Sequence, residues 1–324
     1  MIKSLLSLFR KVGGLFTYLL LLLLRSPVDA ILCIINALFL KGVFKALAAS
    51  NLNDLHHHCL TFGVANLCIY IYNGIVWCKF AAFSAKLVGR LRAYVFRSLF
   101  SMSLEKIENK GSDAWFTRLS SDLKMVLNLL TGALNIPHVI LASVRFLTCS
   151  ALLYLISPPM LLIELCLLLP HLLLRQKTVI IPTENLTAMA QKKVEEMGRY
   201  LSAIAENPDT IQLYDAGEFL LQKYKKASND MVTHRLKIGL RKAFGEFLIP
   251  LHGRGSYLLL FFLGCEMIQA KFMDFGTWTA AIQYRSAMLA ASIMLLRSFL
   301  EVGKNTVGLK RMEEIYGAEY KGNK

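Results

Sequence analysis

The sequence predicts an all-α, polytopic membrane protein with six membrane-spanning helices and long cytoplasmic helical extensions. Of its 324 residues, 55% are hydrophobic and only 18% are charged, and the mean hydropathy is +0.46. Polar side chains are too few to cover such a chain, so lipid must cover part of it. The same composition excludes a disordered chain, and seven cysteines are too sparse for a disulfide scaffold.

The first 25 residues are predicted to form an interfacial elbow. They begin as an amphipathic, basic stretch and then run apolar over 12–24, which is too short to cross about 30 Å of hydrocarbon as a helix. Ser26-Pro27 is typical of a helix start, with Ser as the N-cap and Pro in the first turn. The first span is therefore predicted over about 27–49. A single helix over 12–40, bent at Pro27, is the alternative.

Five further apolar stretches predict the remaining spans. They lie at about 56–77, 126–156, 160–174, 247–264 and 275–296. Only Ser157-Pro158-Pro159 separates the third span from the fourth, which predicts a tight turn there.

Basic residues divide unequally between the two sides of the predicted spans. Thirty-one lie in the elbow and in the stretches 79–125, 171–242 and 297–324, against three in the opposite loops. Because Lys and Arg collect on the cytoplasmic side, this predicts a multi-pass protein of the cell membrane with both termini in the cytoplasm. The net charge of +15 then reflects topology and anionic lipid, and no nucleic-acid partner is expected.

Two helical patterns are much longer than a bilayer requires. The segments 56–104 and 160–206 each contain nearly fifty residues, about 70–75 Å of helix, of which about 30 Å is hydrocarbon. About 40 Å of each of these helices, together with the helix that it pairs with, therefore projects into the cytoplasm. Such long extensions suit a transporter whose helices are moved by a cytoplasmic partner protein.

Four segments in order resemble the transmembrane domain of a six-helix ATP-binding-cassette exporter. They are 104–122 (with Gly111, an acidic residue and an Arg-Leu-x-x-Asp run), 209–220, 274–278 and 309–316. The resemblance implies that 26–316 is this transmembrane domain and that 317–324 is a C-terminal tail. It places the contacts with an ATPase at the helical tips, on Asn109, Gly111, Tyr214 and Asp215.

No phosphate-binding G-x-x-x-x-G-K-[ST] motif occurs in the sequence, so the chain is expected to hold no ATP itself. The resemblance then implies a separate ATPase subunit that carries ATP and Mg, and a second transmembrane half in a homodimer or heterodimer. A truncated gene or transport without ATP are the other interpretations. No cofactor, metal site or catalytic set is expected in this chain.

Three arginines lie inside predicted spans, where charge is costly and marks a candidate site. Arg145 and Arg285 fall near the midplane, at about 18 and 16 Å from the outer turns, and Arg254 lies deeper towards the cytoplasm. They are predicted to line a basic substrate cavity for anionic or zwitterionic amphiphiles. Pairing with backbone carbonyls or snorkelling is the alternative.

These observations predict a permease subunit of an ATP-driven exporter, which moves amphipathic, peptide or lipid-like cargo by alternating access. One alternative is a stand-alone peptide carrier driven by an ion gradient, for which Glu164 and Glu246 are the candidate carboxylates. The other alternative is a regulatory half-transporter that moves nothing itself. Cargo and direction of transport do not follow from the sequence.

Overall fold

A computed structural model describes residues 2–101, 115 and 118–318. This part of the chain consists of helices and turns, with no strand in it, and six of its helical stretches are long and apolar enough to cross a membrane. The stretches are Leu15–Ala48, Leu52–Phe100, Leu119–Ile156, Pro158–Glu206, Gly217–Gln269 and Phe275–Glu313. The predicted all-α fold with six spans is confirmed.

The N-terminal part contains three helices, α1 (Ile2–Val12), α2 (Leu15–Arg25) and α3 (Val28–Ala48). Gly13 and Gly14 separate α1 from α2 with φ angles of 78° and 89°, which side-chain-bearing residues adopt rarely. No comparable break separates α2 from α3, since Pro27 is helical and the Ser26 hydroxyl donates back to the carbonyl of Leu23. Whether 1–25 acts as an interfacial elbow stays a prediction.

Helix α4 (Leu52–Phe100) is a single rod of 49 residues, about 74 Å long. Its first turn is capped by Asn51, whose Oδ1 accepts hydrogen bonds from the backbone N–H groups of Asn53 and Asp54 at 3.1 and 3.4 Å. The predicted continuation of the second span far beyond the bilayer is thus present up to Phe100.

The third span is interrupted, unlike the single predicted helix. One π-helical turn, Arg118–Asp122, leads into α5 (Leu123–Thr131), and α6 (Ile136–Ile156) follows after a four-residue break. Leu134 within that break has a φ of 59°. After Ser157, α7 (Pro158–Arg175) continues through a π-helical turn, Gln176–Ile180, into α8 (Ile181–Glu206).

A short helix separates the next two long ones. It is α9 (Pro208–Leu213), and it is followed by α10 (Gly217–Gln269) with 53 residues and α11 (Phe275–Ala318) with 44. The turns that contain Ser50, Ser157 and Asp274 connect α3 to α4, α6 to α7 and α10 to α11. We call this end of those helices the short-turn end.

The chain divides into two compact units, Met1–Leu162 with Met267–Lys324, and Ile163–Glu266. In the first unit, α11 packs against α3, α5 and α6. Small buried side chains on α11, Ala280, Ala281 and Ala287, allow this close approach. At the short-turn end a Cβ on Gly276 would lie 2.8 Å from the carbonyl oxygen of Lys41, so α11 begins in backbone contact with α3.

In the second unit, few large side chains are buried. Among the described residues of α8 and α10, the buried apolar ones are Ala190, Ala227 and Leu260, whereas many Leu, Ile and Phe side chains are exposed. A helix pair with this exposure needs lipid or another protein surface to cover it.

Candidate functional site

A polar cavity lies among three helices of the first unit, at a level where the surrounding helices are apolar. Its volume is about 240 Å³. Its lining comes from α3 (Asp29, Leu32, Cys33, Asn36), α6 (Arg145) and α11 (Gln283, Ser286, Ala287).

Helical periodicity brings these side chains to one place. Asp29, Cys33 and Asn36 are four and then three residues apart, so they share one face of α3. On α11, Gln283 is likewise three residues before Ser286. The faces meet because small residues let α11 approach both other helices, as described above.

The cavity reaches the middle of the predicted bilayer. Asn36, Arg145 and Ser286 each lie twelve residues from the short-turn end of their helix, counted from Ala48, Ser157 and Asp274, which is about 18 Å. Three helices thus place polar groups at the same depth. Asp29 is seven residues further from that end than Asn36, so the cavity extends about 10 Å beyond this level.

Two opposite charges face this cavity without forming an ion pair. The ion pairs of the described residues involve neither Asp29 nor Arg145. The Nε atom of Arg145 is buried and has no hydrogen-bond partner. An arginine at the centre of a membrane helix costs about 2.5–3.5 kcal/mol on insertion scales, so the charge of Arg145 is costly there. Asp29 lies closer to the opposite face of the bilayer, where the cost of a charge is lower.

The neighbouring cation is engaged elsewhere. Arg25 lies one turn before Asp29, but its guanidinium stacks over the ring of Trp77 on α4 at 4.0 Å, and Phe80 lies 5.5 Å away. Arg25 therefore forms no ion pair with Asp29, although it stays within electrostatic range of that carboxylate, which lines the cavity.

Next to the cavity the packing is tight and apolar. The thiols of Cys33 and Cys149 are in contact at 3.7 Å, and the Ser150 hydroxyl donates to the sulfur of Met288 at 3.1 Å. Cys33, Cys149 and Met288 belong to a buried cluster on α3, α6 and α11. This cluster fixes the three helices relative to one another and so holds the shape of the cavity.

Comparison with known protein families shows which family the chain belongs to. Residues 15–292 match the family model of the ABC transporter transmembrane region. The chain belongs to this family. A search of curated proteins finds no match to it. Membership confirms the predicted resemblance and implies a membrane context and a nucleotide-binding domain as a partner.

In this ABC transporter transmembrane region, the three predicted cavity arginines lie in different surroundings. Arg145 lines the cavity. Arg285 is buried on α11, at 7% exposure, but is not among the described residues that line it. Arg254 is exposed on α10, in the other unit. A shared basic cavity of all three stays a prediction.

Two of the four residues predicted to contact an ATPase lie in the described part of the chain. Asn109 and Gly111 lie outside the described residues. Tyr214 is 74% exposed directly after α9, and Asp215 follows in the turn with a φ of 46°. The short helix α9 overlaps the segment 209–220 that carries the family resemblance, and the contact of Tyr214 and Asp215 with an ATPase stays a prediction.

Sequence analysis does not single out Asp29 as a site residue, because an acidic side chain in the first turn after the helix start Ser26-Pro27 is common. The signal that could have found it is the pair Asp29 and Asn36, seven residues apart on one face of an apolar helix. Within the described part of the chain, no three His, Cys, Asp or Glu side chains are placed to hold a metal ion.

Proposed function

We propose that this chain is the permease subunit of an ATP-driven exporter and moves amphipathic, peptide or lipid-like cargo by alternating access. One observation carries the proposal: a member of the ABC transporter transmembrane region has helices more than twice as long as the hydrocarbon core of a bilayer is thick. Helices α4 and α10 measure about 74 and 80 Å, against about 30 Å of hydrocarbon. The excess length supports a role as levers.

The proposed lever tip is α9 with the turn after it. Leu213 and Tyr214 are 80% and 74% exposed there, between the two longest polar extensions. Large apolar and aromatic side chains at an exposed tip favour insertion into a partner surface. We assign this partner as an ATPase carried on a separate chain, which would bind ATP and Mg.

A second transmembrane half is the proposed cover for α10. Six large apolar side chains follow one face of this helix at spacings of three or four residues, each more than half exposed: Val232, Leu236, Leu240, Phe244, Phe247 and Leu251. Basic residues such as Arg235 and Lys242 lie in the same stretch, which places part of this face outside hydrocarbon. Lipid alone therefore does not cover it.

Assembly can be tested on this face. Leu240→Asp is expected to shift the purified, detergent-solubilised protein from a two-half assembly towards single chains in light scattering. Arg241→Asp changes the charge of the next residue and serves as the control. An unchanged mass for Leu240→Asp argues against the second half at this face.

The proposed orientation places both termini and α9 in the cytoplasm. It is supported by the excess of basic residues on that side. Labelling of a single cysteine at Tyr214 in sealed, right-side-out vesicles tests it, because a membrane-impermeant maleimide should react only after the vesicles are opened.

The decisive experiment is energisation of transport. The native complex, purified through a tag on this chain, is reconstituted into vesicles with its ATPase. ATP-dependent transport that vanadate inhibits supports the proposal. Transport that persists under vanadate and collapses with a protonophore contradicts it.

One observation favours a gradient-driven carrier as the second candidate. His171 on α7 and His252 on α10 approach each other with Nδ1 atoms 3.4 Å apart, and Glu164 is 1% exposed two turns before His171. Titratable groups inside a span suit proton coupling. The vanadate and protonophore arms of the same experiment separate the two candidates.

A further inference from the structure

The cavity between α3, α6 and α11 contains charges of both signs, and this determines which ligand fits it. Asp29 and Arg145 come from different helices, both line the cavity, and they form no ion pair with each other or with another described residue. We infer that the cavity binds a zwitterionic head group, with the cationic end at Asp29 and the anionic end at Arg145. This inference rests on the proposed transport function for its role, but not for its test.

Charge compensation selects a zwitterion over an ion. An anionic ligand would neutralise Arg145 and be repelled by Asp29, and a cationic ligand would do the reverse. Either one leaves one of these two charges without a partner in the ligand, and the cost is greatest for Arg145, which lies near the middle of the bilayer. A zwitterion compensates both groups, and the complex then carries no net charge.

The other polar groups of the cavity suit such a ligand. Asn36 and Gln283 supply amide donors and acceptors from two of the helices. The Ser286 hydroxyl donates to the carbonyl of Ile282 at 2.9 Å, so it offers its oxygen to the cavity as an acceptor. The buried Nε–H of Arg145 is a donor without a partner, which an anionic oxygen can satisfy.

The size of the cavity limits the ligand further. At about 240 Å³ it is smaller than the roughly 300–1,000 Å³ of sites for drug-sized molecules. It therefore accommodates a head group or a molecule of dipeptide size. Two sources share the required chemistry, a phosphocholine-type head group and a peptide zwitterion, and the experiment separates them.

The test is equilibrium binding to the purified full chain in an uncharged detergent, without ATP. Radiolabelled glycerophosphocholine and radiolabelled dialanine are the two zwitterions, and glycerol 3-phosphate (anionic) and choline (cationic) are the competitors that carry charge of one sign only. We expect one or both zwitterions to bind about tenfold more tightly than either ion. Binding of glycerophosphocholine alone identifies a phospholipid-like head group as the ligand, and binding of dialanine alone identifies a peptide.

Two variants give opposite expected changes. Asp29→Asn should weaken zwitterion binding about tenfold and make glycerol 3-phosphate the better of the two ions. Arg145→Gln should weaken it similarly and make choline the better ion. Arg97→Gln alters an exposed arginine on α4 that is not among the residues lining the cavity, and this matched control should change nothing.

A change in the ratio of the affinities for the two ions, in the direction expected for each variant, cannot arise from general unfolding. Either variant alone therefore suffices if the other fails to fold. The inference is overturned if neither zwitterion binds the wild-type chain, if all four probes bind alike, or if the ratio of the affinities for the two ions is the same in the variants as in the wild type. These outcomes are independent of vanadate-sensitive transport, whose loss would overturn the proposed function alone.

Discussion

Asn305 on α11 donates a hydrogen bond to Asn135 at the start of α6, with Nδ2 and Oδ1 2.9 Å apart and 170 residues between them in sequence. The two side chains are 8% and 3% exposed. Asn135 also donates to the carbonyl of Ala133 at 3.0 Å, inside the break between α5 and α6. These hydrogen bonds therefore link α11 to the break between α5 and α6.

Asn305→Ala is expected to destabilise the protein by about 1–3 kcal/mol, because it leaves the Oδ1 of Asn135 buried without a donor. The midpoint of thermal unfolding in detergent, followed by size-exclusion chromatography, measures the loss. Lys304→Ala alters the exposed neighbour and should cost less than about 1 kcal/mol. The double variant Asn135→Ala/Asn305→Ala should lose less than the sum of the single ones. Strict additivity would show that the hydrogen bond does not couple the helices.

The contact between α3 and α4 depends on a glycine. A Cβ on Gly42 would lie 2.7 Å from the imidazole of His58. Gly42→Val should therefore force the helices apart and cost about 1–3 kcal/mol of stability. Gly63→Val, where a Cβ meets nothing within 4 Å, is the control on α4. Adding His58→Ala to Gly42→Val should restore much of the loss in the same unfolding assay, and a lack of rescue would place the strain elsewhere.

The six spans could be predicted because each is a long apolar run, which composition alone reveals. The cavity could only partly be predicted. Arg145 stands out as a charge in an apolar helix, but its pairing with the α3 face that carries Asp29 depends on how α3 and α6 are rotated about their axes. That rotation is set by packing of small residues on α11, and a single sequence does not encode it in any local pattern.

The break at 132–135 was missed for a related reason. Its residues are mostly apolar, so hydropathy continues through it, although Gly132 and the helix start Asn135-Ile136-Pro137 are local signals of an interruption. What fixes the break is the long-range hydrogen bond from Asn305. Similarly, Ser26-Pro27 has the local chemistry of a helix start, but the chain remains helical there because α2 continues along α4, where the hydroxyl of Tyr72 donates to the carbonyl of Leu24.

The contact of Cys33 with Cys149 predicts a cross-link between α3 and α6. In a variant that keeps only these two cysteines, a copper–phenanthroline oxidant should take two electrons and two protons from the thiols and form a disulfide. A protease site inserted between α4 and Arg118 allows detection, since the two fragments should then stay together on a non-reducing gel. The pair Cys59 and Cys149 is the control, because Cys59 is exposed and outside the buried cluster. Equal cross-linking of both pairs would contradict the packing described.

Asp274 predicts a pH dependence at the start of α11. Its carboxylate accepts from the hydroxyl of Thr277 and from the backbone N–H of Thr277, the latter at 3.3 Å. The Thr277 hydroxyl is the main reason that the pKa of Asp274 lies below its usual range. Asp274→Ala should cost about 1 kcal/mol at neutral pH, as for other lost N-caps.

Because the folded pKa of Asp274 is depressed, the stabilisation from its ionised form is complete above the unfolded pKa of about 3.9. It is lost as the pH falls through the folded pKa. The difference in unfolding midpoint between wild type and Asp274→Ala should therefore shrink below about pH 4. Thr277→Val removes the donating hydroxyl, so it should raise the pKa of Asp274 and move this loss to higher pH. Asp274→Asn keeps an acceptor oxygen without titrating, and its difference from Asp274→Ala should not vary with pH. If the difference in unfolding midpoint between wild type and Asp274→Ala also does not vary with pH, the charge of Asp274 does not stabilise the start of α11.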